Sequence, residues 1–244
     1  MVIVELRKLL GLPTAWAGLI LGTLAAPALV LVNAPAMRRA IAEGRDVTDL
    51  GYQNLGIGLL GAMILGVVIV SSEYTRTGDD VPGARQLTAT LMAQPRRMRL
   101  FAAKGAALVL VTAAQGALTA VLTVALTRAV HGTSVAPWSA GRITGAVLYW
   151  VLLALMAYAI TLAARNGVVT LTLLIVNASV VSVSYLLTKV TGLAAYLPDL
   201  VGAHMFLRGG PDERIPPVTA GLIMTAWVAA MLAGAAVLFH RRDA

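Results

Sequence analysis

Six stretches of this chain, residues 14–33, 54–72, 105–127, 143–164, 167–188 and 218–239, contain no Asp, Glu, Lys, Arg or His. A helix rises about 1.5 Å per residue, so about twenty such residues cross roughly 30 Å of hydrocarbon. The pattern predicts an all-α polytopic membrane protein with six transmembrane helices, forming one domain over residues 1–244. Composition agrees: 59% of residues are hydrophobic and 12% charged, where a soluble domain carries about 25% charged residues. The chain has no cysteine, so disulfides, thiolate metal sites and cysteine nucleophiles are excluded.

An even number of spans puts both termini on one side, and basic residues choose the side. Eleven of the 19 Lys and Arg fall on the side shared by the termini and eight on the other. Arg96, Arg97, Arg99 and Lys104 are concentrated on the former. The expected location is therefore a cell membrane with both termini cytoplasmic. The net charge of +8 then reports topology, and no nucleic acid is expected as a partner. Lys8, the first apolar run and Ala34-Pro35-Ala36 imitate a signal peptide. That run is longer than the usual 7–15 residues of such a signal, so it is read as a retained span.

Residues 2–10, VIVELRKLL, place Val2, Ile3, Leu6, Leu9 and Leu10 on one helical face with Glu5 and Lys8 opposite. This predicts a short interfacial helix within residues 1–13, or else the start of the first span. Pro27 should kink that span, a distortion that a packed bundle tolerates. Gly18 and Gly22, with Gly58 and Gly61 in the second span, allow close helix approach. The approach is either to helices of the same chain or to a second copy. The stretch VTGLAAYLPDLVGAHMFL before the sixth span is too apolar for a free loop. It is also too broken by Gly192, Pro198 and Gly202 to cross, and it reads as a re-entrant or interfacial segment on the outer side.

No phosphate-binding G-x-x-x-x-G-K-[ST], no G-x-S-x-G and no H-E-x-x-H is present. No catalytic residue, metal ligand or cofactor site is expected in this chain. The spans hold no ionisable group, which disfavours an ion-coupled carrier. Any work has to be driven from outside the chain.

The longest inner segment, residues 73–104, offers a handle for such a drive. Asp80 can cap a helix with Pro82 in its first turn, and Leu87 and Leu91 lie four apart on one face. Pro95 stops the helix, and Arg96, Arg97 and Arg99 follow where the helix dipole favours positive charge. The segment is either a handle gripped by a partner or an interfacial linker touching headgroups.

Six spans, an amphipathic VELRKLL before the first, Glu73-Tyr74 ending the second, a short helix, Pro95-Arg96-Arg97 and Lys104 opening the third together resemble the type-2 ATP-binding-cassette (ABC) transporter permeases. The closing HRRDA is similar to a common ending in that family. In place of the Gly-Thr that many relatives carry after the Glu-Tyr, Thr75-Arg76-Thr77-Gly78 follows here, so the start of the coupling helix is not fixed.

The resemblance implies the membrane-spanning subunit of an exporter, with ATP and Mg bound on a separate ATP-binding subunit. Residues 83–94 would be the coupling helix, with Arg85, Gln86, Leu87 and Leu91 as contacts. Glu73 would hold the hinge to the second span. Arg96, Arg97 and Lys104 would anchor the third, with headgroup binding as the other reading of these basic residues. Two permease copies, identical or not, would enclose a pathway between their first, second and fifth spans. Gly18, Gly22, Gly58 and Gly61 would then sit at a dimer interface. Gln115, Asn177, Val181 and Ser184 are candidate pathway residues, Asn177 and Gln115 being open equally to an interhelical hydrogen-bonding role. The cargo implied is lipophilic or amphipathic: a drug, an antimicrobial peptide or a lipid. The alternative function is a non-transporting membrane subunit that anchors a cytoplasmic partner.

Overall fold

A computed structural model of the chain describes residues 1–73, 97–132, 135, 137–178, 183–208 and 215–241. Their regular structure is entirely helical, with no strand among them. The α-helices are α1 (Val2–Leu10), α2 (Pro13–Ala42), α3 (Leu55–Ser71), α4 (Arg97–His131), α5 (Ala140–Ala164), α6 (Gly167–Ala178), α7 (Val183–Thr188), α8 (Pro198–Ala203) and α9 (Pro217–Arg241). A 3-10 turn, Gly192–Tyr196, precedes α8.

Four helices are long and apolar enough to cross a bilayer: α2, α4, α5 and α9. The second and fifth expected spans are shorter. α3 has 17 residues, and the described part of the fifth is divided between α6 and α7. The long helices and their apolar surface are those of a membrane-embedded protein.

α3 and α5 form the centre. α3 is apolar all round, as a mostly buried helix is: Leu55, Leu65, Val67 and Val70 are fully enclosed, and only Gly56 and Ile57 in its first turn are exposed. On α5, Trp150 and Tyr158 are fully buried. By contrast α2 and α9 turn broad apolar faces outward, with Ile20, Leu24, Leu31 and Val32 exposed on α2 and Val218 and Leu222 on α9. Inside hydrocarbon, backbone polar groups must be satisfied within a helix. Three of the four threonines of α4 follow suit, the hydroxyls of Thr112, Thr119 and Thr127 donating to the carbonyls of Leu108, Gln115 and Thr123.

The helix ends differ from the sequence expectation. α2 continues through Pro27 and Pro35 to Ala42, so Ala34-Pro35-Ala36 lies inside a helix, and Arg38 and Arg39 ride on its last turns. α5 stops where Arg165 adopts a left-handed backbone (φ 52°). Asn166 then caps α6, its Oδ1 accepting from Val168 N and Val169 N at 3.0 and 3.2 Å.

The bundle has two distinct ends. At one, α1 packs beside the start of α4, and Phe239 of α9 meets Phe101 with ring centroids 6.5 Å apart. Both ends of the described chain therefore lie at this end, called here the near end. At the far end, the segment from Gly192 to Phe206 packs over α5 and α9. Val201 is fully buried, Tyr149 stacks on Phe206, and Trp227 Nε1 donates to Tyr196 O.

The four glycines are consumed inside the chain. A Cβ on Gly61 would overlap the Gly18 carbonyl and the Gly22 backbone, and one on Gly58 would strike the Trp150 ring. Gly18 faces Ile64, and Gly22 faces Gln115. Of the two approaches expected at these positions, the contacts seen are with helices of the same chain. Gly61→Val should therefore cost about 1–3 kcal/mol through overpacking, whereas Gly56→Ala, with open space around it, should be near neutral. Unfolding titrations of the detergent-solubilised protein read the difference.

Candidate functional site

The near end gathers ionisable side chains from α1, from α4 and from the turn after α3. Lys104, one turn above Leu100 on α4, is only 5% exposed. Its Nζ donates to Glu5 Oε2 of α1 at 2.7 Å and to Ile69 O of α3 at 3.4 Å. It stands 2.9 Å from Oε1 of Glu73, which follows α3. That contact is an ion pair out of hydrogen-bonding alignment, for Glu73 Oε1 is buried without a hydrogen-bond donor. Lys8 Nζ donates to the other Glu5 oxygen at 3.2 Å. Two carboxylates thus face two ammonium groups.

Burying an isolated charge is prohibitive, so such groups persist only when paired. Here the pairing joins α1, α3 and α4 into one body. Glu73 and Lys104, expected as hinge and anchor, are brought together as direct partners. Glu5 is a correction. The sequence placed it with Lys8 on the outer face of α1, yet it is 3% exposed. Glu5 and Leu9 stand one turn apart and both turn into the bundle, leaving Ile3, Val4 and Leu10 exposed. Glu73 and Lys104 each border a long uncharged stretch, whereas Arg7 and Lys8 stand between Glu5 and the first one, so no such signal marks Glu5 in the sequence.

The far end has its own charged knot, which the sequence reading treated only as loop charge. Arg142, in the first turn of α5, is 5% exposed. It pairs with Asp49, donates to Phe206 O at 2.8 Å and Thr48 O at 2.9 Å, and lies 3.7 Å from the Tyr52 ring centroid. Asp49 also accepts from Arg208 N at 3.0 Å. The planar, multidentate guanidinium is suited to this work. It fastens the α2–α3 connection and the segment ending at Phe206 to α5. Beside it, Thr48 donates to Asp46 through its amide and hydroxyl, which holds the Asp46 carboxyl below its ordinary pKa.

The remaining expected site residues divide into three groups. Gln115 is buried, and its Nε2 donates to Gly18 O and Leu19 O, both at 3.1 Å. It therefore ties α4 to α2. Asn177 Oδ1 accepts from Ser184 Oγ at 3.2 Å, linking α6 to α7. Arg85, Gln86, Leu87, Leu91, Arg96 and Val181 lie outside the described residues, as does the side chain of Arg97. Among the described residues no cluster of His, Asp and Glu could hold a metal ion. The arrangement at the near end ties α1, α4 and the turn after α3 to one another through charge pairs.

Lys104→Met leaves two buried carboxylates without their shared cation and should cost about 3–5 kcal/mol. The triple variant Glu5→Gln, Glu73→Gln, Lys104→Met should regain most of that loss, since no charge is then stranded. Chemical denaturation of the three proteins in detergent distinguishes this from simple loss of packing, in which the triple variant would be no better than the single one.

Compared with known proteins, the chain matches no family model, no curated protein and no solved structure.

Proposed function

We propose that the chain is the membrane-spanning permease subunit of an ATP-driven ABC exporter, moved by a separate ATP-binding subunit that carries ATP and Mg. The observation that supports this most directly is the Glu5–Lys104–Glu73 cluster. In sequence, residues 74–96 follow Glu73 and precede α4, which carries Lys104 about two turns from its start at Arg97. The two flanks of this segment are thus bound by ion pairs to each other and to α1. A force applied to the segment would move three helices together instead of bending one. A motor subunit requires such a handle in a chain without an ATPase motif.

In this reading Arg85, Gln86, Leu87 and Leu91 contact the motor, and Arg96 and Arg97 steady the entry to α4. The near end faces the cytoplasm. The interior of one copy is filled by Trp150, Tyr158 and their neighbours, so the pathway lies between two permease copies. The exposed apolar faces of α2 and α6 suit either that partner or lipid. Asn177 and Ser184 sit beside the exposed face of α6, where Val169, Leu173 and Val176 are about half exposed. A wall of this kind suits a lipophilic or amphipathic cargo, with drugs, antimicrobial peptides and lipids as the class.

Affinity capture of the tagged chain from its native host in mild detergent should bring down one soluble ATPase subunit with a phosphate-binding loop. Leu87→Asp with Leu91→Asp should abolish that capture while leaving the membrane subunit folded. Capture of another soluble partner without any ATPase would replace the exporter reading with that of a membrane anchor.

A further inference from the structure

Beside the near-end cluster lies a cleft of about 170 Å³, where one water needs roughly 10–15 Å³. Three cations border it, Arg7, Lys8 and Lys104, against two carboxylates, Glu5 and Glu73. The carboxylates are already answered. Lys104 stands 2.7 Å from Glu5 and 2.9 Å from Glu73, and Lys8 stands 3.2 Å from Glu5. Both carboxylates are also buried, whereas Arg7 is exposed and makes no ion pair among the described residues. The cleft therefore carries one excess positive charge, and that charge sits on its accessible guanidinium. Ser72, in the turn after α3, adds a part-exposed hydroxyl.

The depth of the cleft in the bilayer follows from its neighbours. Ile3, Val4 and Leu10 of α1 are exposed apolar residues. Trp16 is half exposed, its Nε1 donating to Leu10 O at 2.8 Å. An amphipathic helix with an adjoining tryptophan sits at headgroup level. Leu12 and Ile69 give the cleft an apolar wall as well. An anion at this depth is most readily supplied by the membrane itself.

We propose that this cleft binds the phosphodiester of an anionic phospholipid, with phosphatidylglycerol as the type. The Arg7 guanidinium holds the phosphate, and the Lys8 ammonium and the Ser72 hydroxyl stand beside it. A guanidinium offers paired donors to two phosphate oxygens. The single negative charge of the lipid answers the single excess cation of the cleft, and its glycerol hydroxyls add no charge. Zwitterionic headgroups bring the same phosphate, but their own ammonium group is set against Arg7 and Lys8. Occupancy fastens a lipid between α1 and the turn after α3. The inference rests on the membrane-embedded bundle and not on the exporter reading.

The test uses the purified full-length chain, stripped of lipid in mild detergent. It is offered an equimolar mixture of dioleoyl phosphatidylglycerol, phosphatidylethanolamine and phosphatidylcholine, and native mass spectrometry counts the lipids retained. Phosphatidylglycerol should be retained about tenfold more than either zwitterion, a difference the size of one charge-assisted contact. Arg7→Ala, at an exposed position, should lower its retention about tenfold, and Ser72→Ala about threefold. The thermal midpoint of lipid-free Arg7→Ala should stay unchanged. Arg241→Ala removes the same charge at an exposed position of the same end and should leave retention as it was. Added phosphatidylglycerol should raise the thermal midpoint of the unaltered chain, and inorganic phosphate should not. Equal retention of the three lipids, or equal losses in Arg7→Ala and Arg241→Ala, would overturn the site. A rise with inorganic phosphate matching that with phosphatidylglycerol would overturn the lipid as its occupant.

Discussion

Ionised groups in a bilayer-embedded protein have few places to go, and this fold is organised by where they went. The spans carry almost none, so the ionised groups collect at the two ends of the bundle. At each end one buried cation is answered by carboxylates and by main-chain carbonyls from other parts of the chain. Lys104 holds α1, α3 and the turn after it to α4. Arg142 holds the α2–α3 connection and the segment ending at Phe206 to α5. Lipid offers little hydrophobic preference for one helix arrangement over another. Directional charged contacts therefore do much of the specifying, and close glycine contacts between α2 and α3 do the rest.

The two knots differ in chemistry, and the difference suits their positions. A guanidinium has five donors fixed in a plane, so Arg142 imposes a single geometry on everything it touches. An ammonium is a compact charge with rotatable donors on a flexible stem, so Lys104 can keep its partners through a change in their directions. The far end is pinned as a rigid cap. The near end is held by a more compliant contact, between Lys104 and the carboxylates of Glu5 and Glu73.

Much of the architecture was legible because hydrocarbon is an unforgiving solvent. Uncharged runs of about twenty residues have one common fate, and α2, α4, α5 and α9 fall where those runs lie. The helix ends were less legible. Pro35 and the pair Arg38-Arg39 looked like the exit from a span, but a proline is accommodated in a helix and arginines ride comfortably on turns beyond the apolar core, so α2 extends to Ala42. Glu73 and Lys104 were singled out separately, as hinge and as anchor, and the ion pair that joins them was not legible because they lie 31 positions apart. Glu5 was misplaced because an amphipathic projection sorts residues by polarity, whereas burial of this carboxylate depends on a lysine 99 positions away. Arg142 was hidden by its place one residue before an uncharged run, where a cation is ordinarily taken for a boundary marker. Gln115 and the four glycines have residue types that fit packing and pathway equally well, and only their neighbours in space separate the two.

The shortness of α3 has a consequence for how the protein meets bilayers of different thickness. At about 1.5 Å per residue, its 17 residues span roughly 25 Å, less than a typical hydrocarbon core of about 30 Å. A lipid-facing helix of that length would force local thinning. α3 largely escapes this because α2, α4 and α5 pack around it and leave only its first turn, at Gly56 and Ile57, open. Thickness is sensed only by the periphery, where α2 and α9 have length to spare and can tilt to fit. The centre of the bundle is thereby insulated from the elastic state of its membrane, and sorting between thin and thick compartments acts on the outer helices alone.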